Sequence, residues 1–138
     1  MNRSSPSHFQ LQPENLDRHC WVAASVVDVA GDIKSVNVVQ SKLPQATLYG
    51  PPREVKSARN GDHVLVAWEP VWMTEDDFRG YLIQATLCQN GSLFSIAVHT
   101  DGNRYEFQDE GGCQGASSGK LYAVEKHGYT DPIEIPWP

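Results

Sequence analysis

Little in this sequence would carry chemistry. No apolar run approaches the roughly 18 residues of a membrane-spanning helix. The three cysteines, Cys20, Cys88 and Cys113, are widely spaced with no C-x-x-C between them, so a structural zinc site has no basis. The five histidines, His8, His19, His63, His99 and His127, show neither an H-x-H nor an i, i+4 pairing of the kind a metal site on one element uses. No G-x-S-x-G elbow occurs. Basic residues are scarce: 11 Lys and Arg stand against 17 Asp and Glu, for a net charge of −6. Duplex nucleic acid needs a basic face that displaces counterions, so neither nucleic acid nor an anionic membrane is expected as a partner. Residues 1–12 are polar and lack the apolar stretch of a signal peptide, so the chain is not expected to be secreted by one. The sequons at Asn2 and Asn90 then read as chance. Three cysteines at this spacing fit a reducing compartment, each acting as a small apolar side chain.

What remains is a chain of 138 residues, 40% hydrophobic and 20% charged, the composition of one globular domain. Residues 1–18, with Ser-Pro-Ser and Gln-Pro-Glu, read as an N-terminal arm. Residues 19–127 read as the folded domain. Residues 128–138, with Pro132, Pro136 and Pro138, read as an extended C-terminal arm.

Within the domain the pattern is of strands. Cys20–Val29 and Ile33–Gln40 flank Ala30-Gly31-Asp32, and a three-residue loop sets Val26 opposite Val36. Ala46–Tyr49 predicts a short edge strand. His63–Glu69 alternates, with Val64, Val66 and Trp68 on one face. Thr74 to Asp77 predicts a single capped helical turn. Asn90-Gly91 is the preferred pair for a type I′ hairpin, and counting outward sets Leu87 opposite Phe94, Ala85 opposite Ile96 and Ile83 opposite Val98. Asp101-Gly102 reads as a second tight turn, setting Val98 opposite Tyr105 and Ile96 opposite Phe107 in a three-stranded meander. Asp109–Lys120 is a Gly- and Ser-rich loop, and Lys120–Glu125 is the last strand. Many short strands with tight turns predict an all-β fold, a single small antiparallel β-barrel or sandwich.

Candidate chemistry is thin. Gly119-Lys120 invites a phosphate-loop reading, but Gln114 stands where a glycine is needed and Leu121 where the magnesium-binding hydroxyl must be. His99 with Asp101, near Arg104, is the best polar cluster for a general base, yet Asp is expected at the first position of such a turn for backbone reasons. Cys113 lacks an assigned histidine partner. Glu75, Asp76 and Asp77 lack the spaced ligands of a calcium loop. No catalytic, cofactor-binding or metal-binding residue is therefore expected, and the chain is expected not to be an enzyme.

Aromatic residues are more informative. Trp68, Trp72, Tyr81, Phe94, Tyr105 and Phe107 fall within 40 residues, and most are expected in the core. Trp137, bracketed by Pro136 and Pro138, reads as a docking anchor on a stiff arm. Trp137, Trp72, Trp68 and Tyr81 form the expected partner-binding set.

The elements Gly61-Asp62-His63-Val64-Leu65-Val66-Ala67-Trp68, Gly80-Tyr81-Leu82-Ile83-Gln84-Ala85 and Phe94-Ser95-Ile96-Ala97-Val98, ending in Asp101-Gly102, resemble a Tudor or SH3-like small barrel. That resemblance implies a reader of methylated or cationic side chains, with Trp68, Trp72 and Tyr81 as an aromatic cage. Trp21 to Pro70, with its Val-rich hairpin, Gly50-Pro51-Pro52 and Gly61-Asp62 before a Val-rich strand, resembles the OB- or SH3-like barrels of phage tail, neck, baseplate and cement proteins. This second resemblance implies a structural component of a virion, in a phage capsid, neck or tail. Its partners would be other protein subunits in a homo-oligomer or larger assembly, and its location the virion or the cytoplasm.

Overall fold

Period-two alternation of large apolar residues generates the strands of this chain. The computed structural model describes residues 8–11, 14, 15, 17, 20–32 and 43–138. They belong to two compact units, Met1–Lys42 and Leu43–Pro138.

In the first unit β1 (His8–Leu11) pairs antiparallel with β2 (Cys20–Ala23), with Phe9 opposite Val22 and Gln10 opposite Trp21. Residues 8–11 of the expected arm are therefore a paired strand. The strand expected over Cys20–Val29 ends at Ala23, and Ala24–Val26 forms a single 3₁₀ turn. Val26 is 71% exposed, so no burial holds this Val-rich run in a ladder. The partner half of the expected hairpin, residues 33–40, lies outside the described residues.

The second unit contains β3 (Arg53–Asn60), β4 (His63–Glu69), β5 (Gly80–Gln89), β6 (Ser92–Thr100), β7 (Arg104–Gln108), β8 (Ser118–Glu125), β9 (Gly128–Tyr129) and β10 (Ile133–Glu134). One sheet has the order β3-β4-β7. The other has the order β10-β8-β5-β6, with β9 also on β8. All these strand pairs are antiparallel. The sheets face each other across one core. Val64, Val66, Trp68 and Phe107 enter it from the first sheet, and Tyr81, Ile83, Ala85, Leu87, Leu121 and Ala123 from the second. The fold is all-β, and of the two expected forms it is the sandwich.

The β5–β6 hairpin has the expected register, with Leu87, Ala85 and Ile83 opposite Phe94, Ile96 and Val98. Asn90 at φ 52° and Gly91 at φ 76° supply the two left-handed residues that a type I′ turn requires. The third strand of the expected meander is placed differently. β7 pairs with β4, with Phe107 opposite Val64 and Tyr105 opposite Val66. Residues 101–103 carry the chain from one sheet to the other. Tyr105 and Phe107 meet the same core as Phe94, Ile96 and Val98, but from the facing sheet. Alternation is identical in the two cases, so it does not distinguish a neighbour from a strand across the core.

The expected Ala46–Tyr49 edge strand is only a bridge. Gln45 lies parallel to Tyr129, with Ala46 N–H donating to Tyr129 O at 2.8 Å and Tyr129 N–H to Pro44 O at 2.9 Å. No helix forms at Thr74–Asp77. Thr74 donates its N–H to Tyr49 Oη instead, and Asp76 Oδ1 accepts the Phe78 N–H in a local turn.

The C-terminal residues are not a free arm. Ile133 pairs with Leu121 and Glu134 with Lys120, and Ile135 N–H donates to Gly119 O at 2.9 Å. A Cβ on Gly119 would lie 2.9 Å from Ile135 Cδ1 and 3.1 Å from Trp137 Cζ3, so the missing side chain is what lets the tail lie this close. Beyond β10 the chain crosses to the other sheet. There Pro136 O accepts from Ser57 Oγ, and Pro138 O lies 3.4 Å from the Arg59 guanidinium. The tail closes the side of the sandwich where β3 and β8 would otherwise stand open.

Candidate functional site

Alternation along β4 turns Trp68 inward, and Tyr81, near the start of β5, points into the same core. The rings meet edge to face at 5.1 Å and 64°. Both are buried, at 3% and 4% exposure. Their polar groups anchor the two loops that cross between sheets at this end. Tyr81 Oη accepts the Val71 N–H at 2.7 Å, and Trp68 O accepts from Asn103 Nδ2 at 3.0 Å.

Trp72 lies outside this core. In the loop 70–79, Val71 and Met73 turn inward, so Trp72 between them must turn out, and it is 81% exposed. The backbone on both sides is held. Val71 N–H is bound by Tyr81, Thr74 N–H donates to Tyr49 Oη at 3.0 Å, and Arg79 Nη1 donates to Met73 O at 3.2 Å. Trp68, Trp72 and Tyr81 accordingly make no aromatic cage. A cage needs open ring faces, and two of the three rings are spent on each other in the core.

Tyr49 also donates to Thr74 Oγ1 at 3.1 Å, which fastens the segment before β3 to the Trp72 loop. These joined loops carry two further exposed apolar side chains, Phe78 at 65% and Leu48 at 64%. The chain from the end of β4 through this loop carries Glu69, Glu75 and Asp77, all exposed, and half-buried Asp76, with Glu69 opposite Arg53 of β3. The one basic side chain of this loop, Arg79, is paired with Glu75 at 3.8 Å. The joined segments thus carry three exposed apolar side chains, Trp72, Phe78 and Leu48, together with four acidic residues.

The opposite end of the sandwich is built around Asp109, which has no exposed surface. Its Oδ1 accepts from Cys88 N–H at 2.8 Å and Ser117 Oγ at 2.7 Å. Its Oδ2 accepts from Arg59 Nη2 at 2.7 Å and Trp137 Nε1 at 2.9 Å. Burial alone would raise the pKa of this carboxyl. The bonds from Cys88, Trp137, Ser117 and Arg59 outweigh it and lower the value from 3.8 to about 2. Beside it Cys88 and Cys113 form a disulfide that joins the end of β5 to the glycine-rich loop. The cysteines are therefore not all plain apolar groups, and Cys113 offers no nucleophile. A bridge across this sequence separation of 25 residues contributes about 3.5 kcal/mol in the chain-entropy account.

Trp137, expected as a docking anchor, is spent in this network. It is half-buried, its ring lies 5.8 Å from that of Phe107, and its N–H is bound by Asp109. Of the four expected partner-binding residues, only Trp72 is displayed. His99 and Asp101 share no hydrogen bond, and the His99 ring packs where a Cβ on Gly80 would lie at 2.7 Å. Phe78 and Leu48 were not singled out in the sequence. Phe78 had a legible signal, an aromatic residue directly after an acidic run and outside any alternating strand. Leu48 had none.

No family model matches the sequence, and no curated protein matches it. Among solved structures the chain is similar to titin kinase and its flanking domains, with 21% identity and a TM-score of 0.48 over 67% of this chain. The match spans 17% of the length of that titin chain. It is also similar to the FN5 domain of Drosophila Lar, with 24% identity and a TM-score of 0.41 over 64% of this chain and 98% of that one.

Proposed function

We propose that this chain is a non-enzymatic docking module that binds a protein partner through Trp72, Phe78 and Leu48. The observation that carries the reading is Trp72, 81% exposed on a backbone fixed by Tyr81 and Tyr49. A large ring held ready in this way loses little entropy on binding, which is the property of interface hot spots. The acidic residues of this segment, Glu75, Asp76 and Asp77, favour a partner segment that combines lysine or arginine with apolar side chains. A subunit of a larger assembly is one setting for such a module. The narrower reading, a capsid, neck or tail component of a phage, rests on the sequence resemblance alone. The Cys88–Cys113 disulfide supports an oxidising setting over a reducing one.

The test is selection of peptides from a random library on the immobilised full chain, with the Trp72→Ala variant as a parallel target. The selected peptides are expected to carry basic and aromatic residues and to bind Trp72→Ala at least about 30-fold more weakly. Trp72→Ala should melt within a few degrees of the parent, since the residue is 81% exposed. Peptides that bind both proteins equally overturn the reading.

A further inference from the structure

Each sheet of the sandwich ends in two edge strands, and natural edges carry guards against pairing with another chain. β3 has charged Arg53, Glu54, Lys56 and Arg59, a register shift between Arg53 and Lys56, and the C-terminal tail alongside. β10 is two residues long and flanked by Pro132 and Pro136. β7 is five residues long and displays Arg104 and Glu106. β6 has none of these devices. It runs nine residues, Ser92–Thr100, without Asp, Glu, Lys, Arg or Pro. It pairs with β5 without a register shift and has no strand on its other side among the described residues.

The hairpin geometry fixes which backbone groups face that free side. Gln89 and Ser92 close the two-residue turn as a hydrogen-bonded pair, and such pairs alternate along an antiparallel ladder. Leu93, Ser95, Ala97 and His99 then direct their N–H and C=O groups away from β5. We propose that this edge pairs antiparallel with the same edge of a second copy, joining two sheets of this chain into one continuous sheet about a two-fold axis at Ile96.

The sequence of β6 is complementary to itself in that register. Phe94 of one copy faces Val98 of the other, and Ile96 faces Ile96, so the half-buried row continues as one apolar stripe. On the other face Ser95 opposes Ala97 and Leu93 opposes His99, with no like charges set together. Every outward-facing residue meets another outward-facing residue, so each pair exchanges two hydrogen bonds. A shift by one residue sets outward groups against inward ones and turns the apolar row to the other face. This association does not involve Trp72 and stands or falls separately from the docking surface.

The experiment is sedimentation equilibrium on the full chain over a range of concentrations, with the parent and two charge variants. The parent is expected to reach twice the monomer mass. In the S95K/A97K variant the axis brings lysine opposite lysine twice, and association should weaken at least about tenfold. In the S95E/A97K variant each position 95 meets an opposite charge at position 97 of the other copy, and dimerisation should return. Both variants alter exposed side chains, and an unchanged circular dichroism melt confirms that they fold. A parent that stays monomeric up to hundreds of micromolar overturns the proposal. So does an S95K/A97K variant that dimerises like the parent, or an S95E/A97K variant no better than it.

Discussion

Asp109 is the residue on which one end of the sandwich depends. Its carboxylate is wholly buried and still ionised, because four donors from β3, β5, the glycine-rich loop and the tail converge on two oxygens. An isolated buried carboxylate would take up a proton, whereas this one resists it. The folded-state pKa lies below the unfolded value, so its contribution is present above about pH 4 and is lost as pH falls toward 2. The shift from 3.8 to about 2 corresponds to about 2 kcal/mol. Asp109→Asn keeps the shape, but it removes the charge opposite Arg59 and directs an amide N–H at other donors. It should destabilise the chain by about 3 kcal/mol at neutral pH. Urea unfolding at pH 6, 4, 3 and 2 checks both statements. The variant should lose less stability than the parent between pH 4 and 2, and equal losses in the two proteins would contradict the assignment.

Among the elements, the β5–β6 hairpin and the C-terminal tail show where sequence reading succeeds and where it stops. The hairpin register was legible because its cause is local. Asn90-Gly91 prescribes the turn, the turn prescribes the pairing, and the apolar residues agree with it. β4 was legible for the same reason, with Val64, Val66 and Trp68 alternating against polar neighbours. β7 was not, because a three-residue loop can close a hairpin or pass to the facing sheet, and Tyr105 and Phe107 face the core in both. The Cys88–Cys113 bridge and the Asp109 network join residues far apart in sequence, and no local pattern marks them. The prolines of 128–138 suggested an arm because proline excludes a long strand. They did not exclude two ladder pairs at Ile133 and Glu134, followed by ring packing of Trp137 on Phe107. Deleting residues 129–138 should therefore lower the melting temperature by more than about 10 °C and promote aggregation, since it bares the β8 edge and the end of the core. An unchanged melt would show that the tail is an appendage.

For the whole molecule, the stabilising network and the proposed docking residues sit at opposite ends of the Leu43–Pro138 sandwich. The disulfide, Asp109 and the docked tail hold one end. At the other, Trp68 and Tyr81 hold the loops that display Trp72, Phe78 and Leu48. The tail that looked like an arm belongs to the scaffold, and the residue that reaches outward is Trp72. Hydrogen exchange on the full chain, alone and with an excess of a peptide selected on it, tests this division most directly. The Ile135 amide should already be slow in the free chain, and the peptide should slow exchange in residues 45–50 and 70–79. Fast exchange throughout 128–138 in the free chain, with slowing there when the peptide is added, would contradict it.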